Sequence, residues 1–210
     1  MEPDAVEIRV AGCLVEKQRT TPDQYPLTLN SLRLACNQST NRDPVVDYAE
    51  PTVRAALDRL VARKWATLAS WSTARSVKYK HVLDQALGLS DAQLALACVL
   101  MLRGPQTPGE LRQRTERMHR FDSGEELERT LAELVERELA VALPRRPGER
   151  GQRYAHRLGE LEEGSAGAPA AAEPDAPPSD DGLAGRVDRL ENEVATLREQ
   201  LLSLRKELGA

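Results

Sequence analysis

The chain carries AALDRLVARKWATL at residues 55–68 and RTLAELVERELAVA at residues 129–142, and these two stretches decide the fold. They align without a gap at an offset of 74 residues. In each, apolar residues first recur at helical spacing and the period then changes to that of a strand. A helix that runs into a strand is therefore predicted twice, which indicates a structural repeat. The matched positions are Leu57, Leu60, Val61, Arg63 and Thr67 with Leu131, Leu134, Val135, Arg137 and Val141.

The first half of the chain is predicted to fold as three helices and a β-hairpin. Asp4 and Glu7 have the spacing of a capping box before the first helix, and Thr28 is a suitable N-cap for the second. Pro51 is a good first-turn residue for the third helix. A short polar link over 72–75 joins the strands of the hairpin. The predicted elements are helices near 4–18, 29–37 and 51–64 and strands near 65–71 and 76–82.

The second half repeats this order. Capping pairs begin its three helices, and strand-like segments over 140–143 and 153–158 follow. Three helices followed by a hairpin is the order of a winged helix. We therefore predict an α+β, mostly α-helical chain with two tandem winged-helix domains, at residues 1–84 and 85–158. The capping pairs are Ser90 with Gln93, Thr107 with Glu110 and Ser123 with Glu126.

The last part of the chain has two further predicted regions. Residues 159–182 are rich in Gly, Ala, Pro and acidic residues, which is typical of a flexible linker. Residues 183–208 carry heptads with Val at two of the four a positions and Leu at every d position, a pattern that favours a parallel two-stranded coiled coil. The alternative is a lone amphipathic helix that docks on the folded domains. The heptad positions are Leu183, Val187, Leu190, Val194, Leu197, Leu201, Leu204 and Leu208.

The charges beside these heptads agree with a parallel dimer. In that arrangement each g residue faces the e residue five positions later on the partner helix. The facing pairs contain no like charges. They are Arg186 with Glu191, Glu193 with Arg198, and Gln200 with Arg205.

Composition and motifs exclude several function classes. Residues 1–84 hold 12 Lys and Arg against 10 Asp and Glu, residues 85–158 hold 12 against 11, and residues 159–210 hold 5 against 12. The acidity therefore lies in the tail, and neither half is strongly basic. The acidic N-terminus does not resemble a secretory signal, and no apolar run is long enough to cross a membrane, so we expect a cytoplasmic protein without membrane contact.

Metal and catalytic motifs are missing from the sequence. Cys13, Cys36 and Cys98 form no C-x-x-C pair, and each sits in an apolar helical pattern, so we expect buried reduced thiols. The three histidines lie far apart, which argues against a metal site. No phosphate-binding loop or nucleophile elbow is present. We therefore expect no enzyme, no metal and no cofactor.

The strongest cationic signal lies between Pro51 and His81, where seven Lys and Arg residues accompany one acid, Asp58. In a winged helix the third helix enters the major groove and the wing meets the DNA backbone or minor groove. Thr52 and Arg54 occupy the first turn of that helix, Arg75 the wing tip and Lys78 the returning strand. The alternative is a set of solvated surface cations. The equivalent helix of the second half carries six glutamates and would repel phosphate.

One motif points to a family. TTPDQYPL at 20–27, ACNQ at 35–38 and NRDPV at 41–45 resemble the signature of the YceH-like proteins of bacteria, a family of uncharacterised function. The resemblance implies two consecutive winged-helix domains through about residue 158. The chain departs from the pattern at Ala49, where relatives often have Ser. Asn41 and Arg42 in this motif are further candidates for contact with DNA, and the alternative is that the motif satisfies backbone groups of its own loop.

Two functional hypotheses remain. The first is a homodimeric DNA-binding protein, a transcriptional regulator that contacts DNA through the third helix and wing of its first domain. The second is a non-enzymatic scaffold that binds a protein partner through its winged helices. Surface charge on the third helix and wing favours the first, and a flat apolar face favours the second.

Overall fold

The computed structural model describes residues 2–69, 76–145 and 151–159. All of them belong to one compact unit. The predicted linker beyond residue 159 and the predicted coiled coil at 183–208 lie outside the described residues, so both remain predictions.

The described chain is mostly helical, with short antiparallel strands, as the α+β prediction requires. A 3₁₀ turn over Pro22–Gln24 separates the first helix from the first strand. The helices are α1 (Ala5–Thr20), α2 (Leu29–Cys36), α3 (Glu50–Ala62), α4 (Leu83–Leu87), α5 (Asp91–Arg103), α6 (Pro108–Thr115) and α7 (Gly124–Glu136). The strands are β1 (Leu27–Thr28), β2 (Ala66–Leu68), β3 (Lys78–His81), β4 (Ala140–Ala142) and β5 (Tyr154–His156).

Most helices begin where a capping side chain predicts it. The Asp4 side chain accepts from the Glu7 amide at 2.8 Å, and the Glu7 carboxylate accepts from the Asp4 amide at 3.2 Å. α5 and α6 begin with complete capping boxes as well. α3 differs, because its N-cap Ala49 has no side chain that can accept from the first amides. The helix starts at Glu50, one residue before the predicted Pro51.

Two small sheets follow the same plan. β3 lies between β1 and β2 and pairs with both in antiparallel register, with Leu27 opposite Tyr79 and Ala66 opposite His81. In the second half β4 pairs with β5. A single bridge between Gln106 and Tyr154 lies just before α6, where β1 lies before α2. The sequence analysis missed β1 because a two-residue strand has no period.

The predicted repeat is present in the backbone. α3 and α7 have the same length and are offset by the same 74 residues as the sequence alignment. Two residues after the end of each helix the backbone enters the left-handed region, at Lys64 with φ 62° and at Glu138 with φ 58°. The next amide, of Trp65 or of Leu139, donates to the carbonyl of Leu60 or Leu134, at 2.9 Å in both cases. The helix-to-strand junction is thus built in the same way twice.

One core joins the two halves. α1 packs on α2 and α3 of its own half and on α5 of the second half. Gly12 lets these two helices approach, since a Cβ there would lie 2.8 Å from the Leu102 side chain. The predicted boundary between residues 84 and 85 falls inside α4, a short helix that the sequence analysis did not predict. The division into two domains remains a prediction.

Candidate nucleic-acid interface

α3 turns one face to the core and the other to solvent. Val53, Ala56, Leu57 and Leu60 are fully buried. Thr52 and Arg54 are exposed on the opposite side, as a DNA-reading helix requires. The Arg54 guanidinium donates to the Glu50 carboxylate at 3.2 Å, an exposed pair that partly offsets its charge. Because the sequence count began at Pro51, it missed this acid.

β3 presents two cations on one side. Tyr79 between them is buried, so Lys78 and Lys80 point away from the core. Neither lysine forms an ion pair with any side chain in the part of the chain that the structure describes. Lys64, at the end of α3, is exposed and equally unpaired within that part. The predicted contact Arg75 lies outside the described residues.

The other two arginines of α3 and its end face the first helix instead. Arg59 donates to the Asp4 carboxylate at 2.6 Å and to Glu7 at 3.0 Å. The Nε of Arg63 lies 3.7 Å from the same Glu7, whose side chain is buried. These ion pairs hold the end of α3 against the start of α1. The cationic surface is therefore smaller than the sequence count indicated.

Arg42 is not a surface residue. Its guanidinium is fully buried and makes a bidentate pair with Glu16, with N–O distances of 3.0 and 2.6 Å. It also donates to the carbonyls of Ala35 and Asn41 and to the Gln38 side chain. The prediction that Arg42 contacts DNA is wrong for this conformation, because none of its nitrogens reaches the surface.

The rest of the motif organises the long connection between α2 and α3. Asn37 donates to the Asp47 carboxylate and to the Tyr48 carbonyl, both at 3.0 Å, and accepts from the Tyr48 amide at 2.9 Å. The alternative that these residues satisfy their own loop therefore holds for Asn37 and Arg42. Asn41 is exposed at φ 60°, and its side chain accepts from Arg103. It remains a candidate contact.

Arg9 has a role that the sequence analysis missed. It lies on the buried side of α1 and donates to the carbonyls of Cys36, at 3.2 Å, and Pro44, at 2.6 Å. Those two carbonyls lie at the start and near the middle of the connection between α2 and α3, so one cation ties both to the core. The signal was a charged residue inside the apolar stripe of α1, since such a residue needs buried partners.

The second half offers a different surface. Six glutamates lie on α7 or just after it, and five of them are exposed. Arg153, just before β5, lies 3.3 Å from Glu110, and Arg137 donates to carbonyls at the end of α4. Of the other arginines that could serve a second wing, Arg145 is exposed, whereas Arg146 and Arg150 lie outside the described residues. α7 therefore presents an acidic surface, unlike α3, as the sequence predicts.

Comparison with known proteins identifies the family. A family model described as "Protein of unknown function, DUF480" matches residues 4–149. A UPF0502 protein of Serratia proteamaculans (strain 568) is 47% identical over 97% of this chain and 95% of its own length. UPF0502 protein YceH of Escherichia fergusonii is 44% identical over 99% and 98%. The chain belongs to the UPF0502 family.

Membership of UPF0502 confirms the resemblance to YceH-like proteins. The printed names of these relatives state no activity or ligand. The alignments with Serratia and Escherichia cover nearly all of this chain, so they extend beyond the described residues into the predicted linker and heptads. A UPF0502 protein of Azotobacter vinelandii is 49% identical over a shorter stretch, 76% of this chain.

Two further observations bear on ligands. No helix among residues 2–69, 76–145 and 151–159 has the length and hydropathy of a bilayer-spanning segment. In the same residues no three His, Cys, Asp or Glu side chains gather as metal ligands would. The three cysteines are free and buried, as the sequence predicts.

Proposed function

We propose that this UPF0502 protein is a tandem winged-helix protein. The order of helix, helix, helix and hairpin occurs in both halves, and the strand or bridge before the second helix of each half pairs with the last strand. The helix-to-strand junction recurs with the same backbone bonds. These repeated features support two copies of one fold.

We further propose that the first half binds double-stranded DNA. The observation that carries this proposal is the pair of outward lysines on β3, Lys78 and Lys80, which have no ion-pair partner among the described residues. Phosphate contacts supply most non-specific affinity, and free lysines provide them. Exposed Thr52 and Arg54 on the first turns of α3 are placed to meet base edges.

The proposal includes a dimer formed by residues 183–208. Its support is the heptad pattern and the compatible flanking charges. A dimer presents two DNA-contacting surfaces at once, so binding by the second copy becomes intramolecular. A homodimer that binds DNA through two copies of α3 fits a transcriptional regulator.

One groove beside α3 lacks the side chains of an acid–base pair. A groove of about 430 Å³ lies beside α3, β2 and α4. Its lining contains a single ionisable side chain, Lys64. General acid–base catalysis needs a proton donor and acceptor close together, and this groove brings no such pair.

The test is the DNA affinity of the full chain. It is measured at low salt as the fluorescence anisotropy of a labelled duplex of mixed sequence. The variant K78E/K80E removes two phosphate contacts from each protomer and introduces like charge. We expect it to weaken binding strongly and to make the salt dependence shallower, by roughly 2 in the slope of log K against log salt for each protomer engaged. R112E/R117E, which changes two exposed arginines of the second half, is the matched control.

An equal loss of DNA affinity in the two variants would show that binding depends on the net charge of the protein and not on the position of these lysines. No binding by the folded wild-type chain at low salt would remove the proposal altogether. Circular dichroism of each variant checks that the fold is retained.

A protein-binding scaffold is the second candidate. Leu34 on α2 is 55% exposed and Val45 in the following loop is 59% exposed. Large exposed apolar side chains of this kind often serve protein contacts. Recovery of one stoichiometric protein partner that survives nuclease treatment, and is lost in L34E/V45E but kept in K78E/K80E, would favour this role over DNA binding.

A further inference from the structure

α3 begins without the side-chain cap that starts the other described helices of eight residues or more. Its N-cap residue, Ala49, has an extended backbone but no side chain that can accept from the first amides. The amides of Thr52 and Val53 both donate to the Ala49 carbonyl, at 3.1 and 3.2 Å. A missing cap leaves the first turn of a helix prone to fray. The side chains that cap the other helices belong to Asp4, Thr28, Ser90, Thr107 and Ser123.

The repeat shows how the counterpart of α3 begins. Ala49 aligns with Ser123 at the same offset of 74 residues, and the Ser123 hydroxyl accepts from the Glu126 amide at 3.1 Å. The connection before the helix also differs, since it covers residues 37–49 in the first half and only 116–123 in the second. The first half thus combines a longer connection with a missing cap, so another contact has to fix where α3 begins.

Asn37 provides that contact from the end of α2. Its side-chain nitrogen donates to the Tyr48 carbonyl at 3.0 Å, and its side-chain oxygen accepts from the Tyr48 amide at 2.9 Å. The same nitrogen donates to the Asp47 carboxylate at 3.0 Å. One side chain therefore holds both backbone groups of Tyr48, whose ring packs on the core. Tyr48 directly precedes the N-cap Ala49, so the start of α3 is tied to the end of α2.

The residue that makes this tie is itself held in place. Asn37 is the C-cap of α2, and its backbone amide donates to the Arg33 carbonyl at 3.1 Å. The preceding residue, Cys36, is fully buried, and its carbonyl accepts from the buried Arg9 at 3.2 Å. A side chain whose own backbone is anchored in this way can position the group that it binds.

We propose that Asn37 is a positioning residue for DNA readout. By holding Tyr48 it sets where α3 begins, and so where Thr52 and Arg54 lie on the first turns. Asn37 itself does not contact DNA, because its side chain already bonds to Tyr48 and Asp47. The inference rests on the proposed binding of DNA by the first half. Contacts to base edges need placement to within about 0.5 Å, whereas a flexible lysine can follow a phosphate.

The first test needs no DNA, since it measures amide hydrogen exchange of the free full chain over residues 48–54. Asn37→Ala removes three hydrogen bonds, and we expect exchange there to become about tenfold faster or more, with little change along α5 and α7. Adding Ala49→Ser supplies the missing cap and should restore most of the slow exchange. Ser39→Ala, at an exposed position in the same loop, is the matched control.

Two results of this first test would overturn the proposal. Unchanged exchange over residues 48–54 in N37A would mean that Asn37 does not hold the start of α3. Equal acceleration over residues 48–54, α5 and α7 would mean that the substitution lowers the stability of the whole fold and positions nothing.

The second test measures readout by the full chain. The wild type selects from a library of duplexes with a randomised centre, and its affinity for the enriched sequence is compared with that for a mixed-sequence duplex by anisotropy. We expect N37A to lower the ratio of these two affinities about tenfold. The affinity for the mixed duplex and its salt dependence should stay near wild-type values, because Asn37 carries no charge. N37A/A49S should recover most of the ratio.

The outcomes of the second test separate this inference from the proposed function. An unchanged ratio in N37A, or an equal loss of affinity for both duplexes, would overturn the positioning role while DNA binding by the first half stands. A wild-type chain that binds duplex DNA but enriches no sequence would do the same. A wild-type chain that binds no duplex at low salt would remove the proposed function, and the role of Asn37 in readout with it.

Discussion

Replacement of Arg42 by Ala tests whether this motif residue is part of the core. Its fully buried guanidinium makes five hydrogen bonds, two of them to the Glu16 carboxylate. Removal of one partner from a buried ion pair costs roughly 3–5 kcal/mol. Lys17, whose Nζ lies 3.5 Å from the Glu16 carboxylate, keeps part of the compensation and favours the lower end of that range. We therefore expect Arg42→Ala to lower the free energy of unfolding by about that amount. Arg54→Ala, which breaks an exposed pair, should cost about 1 kcal/mol or less.

The assay is urea denaturation of the full chain, with Arg42→Ala, Glu16→Gln and the double variant in a thermodynamic cycle. Direct partners of this kind show coupling energies of about 0.5–3 kcal/mol. Burial raises the pKa of Glu16, but its bond to Arg42 outweighs this and holds that pKa below the ordinary value. The coupling energy between Arg42 and Glu16 should thus reach its full value above the ordinary pKa of a glutamate. It should disappear as the pH falls through the pKa of Glu16 in the folded protein. A cost for Arg42→Ala no larger than that for Arg54→Ala would refute the buried role.

Three further predictions concern the fold, its pH dependence and its assembly. Gly12→Val places a side chain within about 3 Å of Leu102, and we expect a loss of about 1–3 kcal/mol in thermal or urea unfolding; an unchanged melting temperature would contradict the close approach of α1 and α5. Burial lowers the pKa of His81 from 6.5 to about 4. The free energy of unfolding should therefore have its full value above pH 6.5 and fall by roughly 3 kcal/mol toward pH 4, and His81→Gln should flatten this part of its pH profile in urea denaturation. Leu197→Arg puts a charge at a predicted d position and should convert the proposed dimer to a monomer in light scattering, whereas Arg198→Ala should not; a wild-type monomer at micromolar concentration would refute the coiled-coil prediction.

Local chemistry made much of the fold predictable. Asp4, Thr28, Ser90 and Thr107 cap helices through contacts with residues only three positions away, so the sequence itself contains the partner. The repeated junction was predictable for the same reason, because helix, left-handed residue and strand follow one another directly. α4 and β1 were missed because five and two residues are too short to show a period.

The candidate site was less predictable, because it depends on contacts between residues distant in sequence. Arg42 and Arg54 look alike in the sequence, yet one is buried against Glu16 and the other is exposed beside Glu50. Arg59 looks like a free cation in the sequence, but in the fold it forms an ion pair with Asp4. A count of charges along the chain cannot separate such cases. The outward direction of Lys78 and Lys80, in contrast, follows from strand alternation around the buried Tyr79.

Amide hydrogen exchange of the full chain, with and without duplex DNA at low salt, tests the central claim most directly. The account predicts slower exchange on DNA binding in the first turns of α3 and along β3, around Thr52, Arg54 and Lys78. It predicts no change along α7, the acidic counterpart of α3. Protection confined to the second half, or none at DNA concentrations that saturate anisotropy, would contradict DNA contact through the first half.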